Sequence, residues 1–201
     1  MPTTTTERAR KIFRTRGGTL RTTEALAAGI HPRTLYAMRD AGEVEALARG
    51  VFRLGDLPPL GNPDLATVAK RIPHGVVCLI SALAFHELTT QVPHEVHLAI
   101  SRTARRPRLE YPPLRVYRFS TATFDAGIEA PTIDRIPVRV YSAEKTLADC
   151  FKYRNKVGMD VVVEAIRTYR RRKHPRFQQV FEYAKLCRVD RLMRPYLEAL
   201  A

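Results

Sequence analysis

The hydrophobic pattern of the first thirty residues alternates between helix-like and strand-like spacing. Apolar positions three and four apart predict a first helix over residues 7–14, and a polar–apolar–polar run predicts a short strand over residues 19–21. A second short helix is predicted over residues 24–28. Gly29 follows it, and because glycine adopts a positive φ at no steric cost, the chain can reverse sharply there.

A third helix is predicted directly after this turn. His31-Pro32 begins it, because a proline at the first helical position loses no hydrogen bond and already has a helical φ. Gly42 ends it, as glycine does just past a helix C-terminus. At 100° per residue, Leu35 and Met38 share one face, which we expect to pack inwards.

The opposite face of the third helix is polar and basic. Arg33 and Tyr36 lie on it, and Thr34 and Arg39 flank it. These are side chains that a recognition helix uses to reach base edges and phosphates in the major groove of DNA. An ordinary solvated surface helix could carry the same residues, so this helix alone does not decide between the two readings.

Two strand-like runs over residues 43–47 and 51–54 follow the third helix and favour the DNA-binding interpretation. Ala48-Arg49-Gly50 lies between them as a hairpin turn, while Phe52 and Leu54 share one face and Arg53 points to the other. A ribbon with Arg49 at its tip is what a wing requires. The order helix, strand, helix, turn, helix, hairpin predicts a winged helix-turn-helix over residues 1–56.

The remainder, residues 57–201, is predicted to be a mixed α/β C-terminal domain, which makes the whole chain α+β. The linker is Gly55 to Pro63, which holds three prolines and two glycines. Beyond it the pattern predicts a small sheet and several helices. The strands are expected over residues 94–101, 114–120 and 136–141, and the helices over residues 64–71 and 79–88, after Ser142, from Asp160, around residues 177–184 and around residues 192–200.

Composition adds a strong positive charge. The chain has 201 residues, 45% of them hydrophobic, and 34 Lys and Arg against 20 Asp and Glu give a net charge of +14. Such a balance is typical of a protein that meets a polyanion. No apolar run is long enough to span a bilayer, and the N-terminal residues lack a signal segment. Cys78, Cys150 and Cys187 lie far apart in apolar segments and are expected to be reduced core residues of a cytoplasmic protein.

Most of the excess charge lies near the C-terminus. Residues 151–201 carry thirteen Lys and Arg against five Asp and Glu, a net +8, whereas residues 1–60 carry ten against six, a net +4. Arg170, Arg171, Arg172 and Lys173 end a predicted helix, where cations favour the negative end of the helix dipole. They are therefore either a solvated helix end or a second basic surface for phosphate or an acidic partner.

No catalytic, metal or cofactor site is predicted. Lys145 and Asp149 have helical i,i+4 spacing, for which a structural surface pair is the expected role. His94 and His97 would point to opposite faces of a strand and could not share a metal ion. The chain also lacks a phosphate-cradling glycine loop, so enzymatic activity is not expected.

Several segments resemble the AbiEi family, the antitoxin and repressor components of bacterial type IV toxin–antitoxin systems. Besides the winged-helix segment, these are VVCLISALAFHELT (76–89), PHEVHLAIS (93–101), VYSAEKTLADCFKYRNKVG (140–158) and RVDRLMRPYLEAL (188–200). The similarity runs from about Thr4 to the end of the chain, and residues 142–158 are its most specific part.

This resemblance implies a repressor that binds double-stranded operator DNA at inverted repeats and autoregulates its operon. It also implies a C-terminal antitoxin domain that counteracts a cognate nucleotidyltransferase-like toxin, with no membrane partner. Two alternatives remain from the residues alone. The basic C-terminal surface could serve a protein- or RNA-interaction module without sequence-specific DNA binding, and a nuclease would cleave the DNA that it binds.

Overall fold

The computed structural model describes residues 4–200, and the chain forms two compact units. The first unit contains the described residues up to Pro73 together with two later segments, residues 109–112 and 131–138. The second contains residues 74–108, 113–130 and those from Arg139 onward. The α+β class predicted from the sequence is confirmed.

The helices and the strands of the described residues are each numbered in chain order. The helices are α1 (Thr4–Thr15), α2 (Thr22–Ala27), α3 (Pro32–Asp40), α4 (Pro63–Arg71), α5 (Leu79–Phe85), α6 (Thr121–Asp125), α7 (Ala143–Lys152), α8 (Arg154–Val157), α9 (Met159–Arg170), α10 (Phe177–Leu186) and α11 (Asp190–Leu200). The strands are β1 (Thr19–Arg21), β2 (Val44–Ala48), β3 (Val51–Leu54), β4 (Val76–Val77), β5 (Val96–Ser101), β6 (Leu114–Phe119), β7 (Ile128–Glu129), β8 (Thr132–Ile133), β9 (Ile136–Pro137) and β10 (Val140–Tyr141).

The first unit has the predicted winged-helix order. Its three strands pair antiparallel in the order β1-β3-β2, so β1 joins the wing as expected. One face of this sheet packs on α1 and α3 through a core that includes Phe13, Leu35, Met38, Phe52 and Leu54. Helix α1 is a turn longer than predicted at its start, and the other elements lie within a few residues of their predicted places.

The second face of the wing sheet is also covered, which the sequence did not indicate. Thr19, Val51 and Arg53 lie on it and are buried, and α4 packs against all three strands. Arg53 pairs with Glu45 at 3.2 Å and donates hydrogen bonds to the carbonyl oxygens of Leu57 and Pro58. The compact unit therefore extends past residue 56, the predicted domain boundary, to Pro73. As a boundary between functional domains, residue 56 stays a prediction.

The strand predicted over residues 136–141 is wrong as a single strand. Strand β9 forms a hairpin with β8 in the first unit, whereas β10 belongs to the sheet of the second unit. Proline has no N–H to donate to a ladder, and Pro137 ends β9. The tight turn of this hairpin uses Asp134 and Arg135 at positive φ, and the Asp134 carboxylate accepts a hydrogen bond from the Gly61 N–H at 2.9 Å.

The second unit is built on a five-stranded mixed sheet with the order β6-β5-β4-β10-β7. Helix α7 is its central element and packs against α5, α9 and α10. The Ser142 hydroxyl caps it by accepting a hydrogen bond from the Lys145 N–H at 3.2 Å, as predicted. Every residue of α7 from Ala143 to Phe151 is buried, so this helix forms the centre of the core of the second unit. Between residues 4 and 200, no helix is long and apolar enough to cross a membrane.

Candidate nucleic-acid interface

Local interactions fix the start of α3 and its inward face. His31 is the N-cap residue, and its Nδ1 accepts a hydrogen bond from the Arg33 N–H at 3.2 Å. Gly29 has a φ of +88° and Gly42 a φ of +72°, so both glycines make the left-handed turns predicted for them. Leu35 and Met38 are buried in the core, which holds the opposite face of α3 towards solvent.

The outward face of α3 presents the predicted recognition residues. Arg33 and Tyr36 are exposed, and Thr34 is half-buried. The Tyr36 ring meets the edge of the Phe52 ring at a centroid distance of 6.1 Å, which ties it to the wing sheet. Within the described residues, the Arg33 guanidinium has no ion pair, so its charge is free to meet a phosphate or a base edge.

Arg39 differs from Arg33 because its guanidinium is already engaged. It donates to the Asp40 carboxylate from Nε at 2.9 Å and from Nη2 at 2.7 Å. It also stacks over the Tyr36 ring, with Cζ 5.1 Å from the centroid. Arg39 therefore orients Tyr36, while Asp40 neutralises much of its charge. The sequence placed Arg39 on the flank of the recognition face but did not indicate this pairing.

The wing is a two-residue turn whose tip is tied to the rest of the unit. Arg49 and Gly50 form the turn, Gly50 has a φ of +74°, and a bulge lies between Ala46 and Ala48. The Gly50 carbonyl accepts hydrogen bonds from the Thr22 N–H at 2.9 Å and from the Thr22 hydroxyl at 3.4 Å. Arg49 is exposed at this anchored tip, where the sequence predicted it.

The second basic surface predicted at the end of α9 is exposed, but its members are not equivalent. Arg172 donates a hydrogen bond to the His86 carbonyl and stacks over the Tyr169 ring, so it holds the turn in place. Arg170, Arg171 and Lys173 are exposed without an ion pair inside the described range. The Arg176 guanidinium follows them and pairs with the buried Glu144 carboxylate at 2.9 Å.

The residues weighed as catalytic or metal-binding candidates are not gathered into a site. No group of three or more potential metal ligands occurs among residues 4–200. Lys145 and Asp149 do form the predicted i,i+4 pair, but they lie in the core and not on the surface. His97 is buried on β5, where burial lowers its pKa to about 4 despite the nearby Glu95, and His94 is exposed before the strand. Cys78, Cys150 and Cys187 are free and buried, as expected.

Comparison with solved structures shows a known fold. The crystal structure of the RV2827C protein from Mycobacterium tuberculosis is similar, with a TM-score of 0.58 and 14% sequence identity over 100% of this chain and 83% of that chain. At this identity the similarity concerns the fold alone. No curated protein matches the chain significantly.

Comparison with protein-family models addresses the helix-turn-helix and its wing. Residues 7–55 match the family described as transcriptional regulator, AbiEi antitoxin. The matched range contains α2, α3 and the wing hairpin, which carry all the DNA-contacting residues predicted in this unit. The resemblance to AbiEi antitoxin transcriptional regulators that was inferred from the sequence is therefore confirmed over residues 7–55.

Proposed function

We propose that this protein is a DNA-binding transcriptional repressor that autoregulates the operon of a type IV toxin–antitoxin system. The observation that carries the proposal is the outward face of α3, where Arg33, Thr34 and Tyr36 lie beside an anchored wing. A helix of this kind fits the major groove, and operators with inverted repeats match a pair of such helices. The protein would then act in the cytoplasm, on double-stranded DNA.

The residues divide into roles by their chemistry. Arg33 has a free guanidinium in the first turn of α3 and is assigned to base edges, with Thr34 and Tyr36 beside it. Arg39 is a positioning residue, since it already contacts Asp40 and Tyr36. Arg49, at the tip of the wing, is assigned to a phosphate or to the minor groove.

The antitoxin half of the proposal is that the second unit counteracts a nucleotidyltransferase-like toxin. The description of the matched family as an antitoxin supports this assignment. The free cations Arg170, Arg171 and Lys173 offer a surface for it. They also support the second candidate function, an interaction module that binds protein or RNA through this surface without reading DNA.

Binding of the full-length protein to duplex DNA tests the repressor assignment. We expect it to bind a duplex from its own promoter more tightly than a random duplex of equal length, and to repress a reporter driven by that promoter. The variant Arg33→Ala/Tyr36→Ala should lose this preference. Arg8→Ala/Lys11→Ala, which changes two exposed residues on α1, serves as the control and should keep it. Equal affinity of the wild type for both duplexes would contradict the proposal.

The antitoxin assignment needs a separate readout, which is growth rescue. Co-expression should restore the growth of cells that produce a nucleotidyltransferase-like toxin encoded in the same operon, and the Arg33→Ala/Tyr36→Ala variant should still rescue growth when both genes are driven by foreign promoters. Rescue that survives in this variant but fails in Arg170→Ala/Arg171→Ala/Lys173→Ala would assign the second basic surface to the antitoxin activity. A preference for the promoter duplex without any growth rescue would support the repressor assignment and contradict the antitoxin assignment.

A further inference from the structure

Arg71, at the end of α4, lies beside the wing tip although it follows Gly50 by twenty-one residues. A methyl group placed on Gly50 would meet Arg71 Nη1 at 3.8 Å. Arg71 Nε is buried, and the described residues offer it no hydrogen-bond partner. The guanidinium thus lies against the hairpin turn, and its Nε makes no hydrogen bond to the described residues.

The cations around the wing base outnumber the carboxylates. Arg21 pairs with Val51, the residue after the turn, across the β1–β3 ladder, and Lys70 precedes Arg71 on α4. Glu24 is the carboxylate among them, and it is shared: it lies 3.3 Å from Lys70 Nζ and 3.4 Å from Arg21 Nε. Arg49 and Arg71 have no ion pair within the described chain, so their charges remain uncompensated.

A helix end alone does not explain this arrangement. Cations near a helix C-terminus are stabilised by the negative end of the helix dipole, which accounts for the presence of Lys70 and Arg71 in the last turn of α4. It does not account for Arg49, a second arginine without an ion pair, which is exposed in the turn that Arg71 approaches. Two uncompensated positive charges on one turn favour a bound anion, and a phosphate group can accept hydrogen bonds from two guanidiniums.

We propose that Arg71 and Arg49 form a phosphate-binding site at the wing, whose ligand is a phosphodiester group of the DNA backbone. Helices α3 and α4 pack on opposite faces of the wing sheet, so Arg71 adds a contact on the side of the wing away from α3. An acidic protein is a poorer ligand, since such interfaces are built on buried aromatic and apolar anchors and the turn has none. This inference rests on the proposed DNA binding.

The salt dependence of DNA binding tests the site in the full-length protein. Arg71→Ala should reduce the slope of log K against log salt concentration by about one, equally on operator and random duplexes, because one phosphate contact is lost. Arg49→Ala/Arg71→Ala should reduce it by about two. Arg8→Ala, which removes one exposed cation from α1, is the matched control and should leave the slope unchanged. A thermal unfolding midpoint equal to that of the wild type should accompany Arg71→Ala.

Single neutral methylphosphonate substitutions in the operator locate the contact. At one position, neutralising the phosphate should lower the affinity of the wild type but should not lower that of Arg71→Ala any further. Arg71→Lys should show an intermediate loss at this position, because lysine keeps the charge but lacks the paired donors of the guanidinium. If Arg71→Ala retains the wild-type slope and responds to every methylphosphonate as the wild type does, the site is wrong even though DNA binding stands. If the wild type binds no duplex and Arg33→Ala changes nothing, the proposed function itself has failed.

Discussion

Lys145 donates a hydrogen bond to Asp149 at 2.5 Å across one turn of α7, and both side chains are fully buried. Each of the two side chains also has a second contact. Lys145 Nζ also lies 4.5 Å from the centroid of the Tyr141 ring, and the second oxygen of Asp149 accepts a hydrogen bond from the Cys187 thiol at 3.2 Å. The pair therefore links α7 to the sheet and to the end of α10.

Removing one member of this pair should destabilise the protein strongly. Lys145→Met keeps most of the side-chain volume but leaves the Asp149 carboxylate buried without its partner. We expect a loss of about 3–5 kcal/mol in the free energy of unfolding, measured by urea denaturation. Lys145→Met/Asp149→Leu removes both charges and should recover most of the loss. A double variant as unstable as Lys145→Met would mean that packing, and not the charge, is what the site requires.

The periodicity of the sequence was sufficient to predict α3 and the wing, because the signals are local. Gly29, Pro32 and Gly42 act on the backbone next to them, and Leu35 and Met38 repeat at helical spacing. The order of elements in the first unit followed from such signals alone. Ser142 as the cap of α7 was predicted for the same reason.

Contacts between residues far apart in the chain could not be predicted in this way. Nothing near Arg53 indicates that α4 buries it, and nothing near Arg71 indicates the wing tip. The i,i+4 spacing of Lys145 and Asp149 is the same on a surface helix as in a core, so burial was the missing quantity. The pairing of Arg39 with Asp40 depends on side-chain conformation, which spacing does not specify.

His97 should make the stability of the protein fall under mildly acidic conditions. Burial lowers the pKa of His97 from 6.5 to about 4, with Glu95 opposing that effect and Arg115 adding to it. Below pH 6.5 the unfolded chain takes up a proton that the folded chain refuses, so the free energy of unfolding decreases as the pH falls to about 4. At roughly 1.36 kcal/mol per pKa unit, the loss should amount to about 3 kcal/mol.

Urea denaturation between pH 7 and pH 4 measures this contribution. His97→Phe, which fills the space beside the Tyr117 ring, should flatten the pH dependence, because the titrating group is gone. The exposed His94 provides the control, and His94→Gln should keep the wild-type profile. If His97→Phe loses as much stability as the wild type over this range, other groups are responsible.

Arg33→Ala should separate base reading from phosphate contact. If Arg33 reads a base, the variant loses about 1–3 kcal/mol of binding free energy on the operator and little on random DNA. Fluorescence anisotropy with the two duplexes at one salt concentration gives both values. Equal weakening on both would make Arg33 a phosphate contact. Arg10→Ala is a useful comparison, because Arg10 is already paired with Glu43 at 3.0 Å. This substitution should leave DNA binding unchanged.

Arg49→Ala should weaken binding to all sequences to the same extent. The side chain stands at the tip of a turn that Thr22 anchors through the Gly50 carbonyl, so its loss leaves the backbone of the wing in place. A phosphate contact carries no sequence information, and its removal should make the slope of log K against log salt shallower by about one. Thr22→Val removes the hydroxyl anchor but no charge, and should lower affinity without changing the slope. An Arg49→Ala slope equal to that of the wild type would exclude Arg49 from the DNA contact.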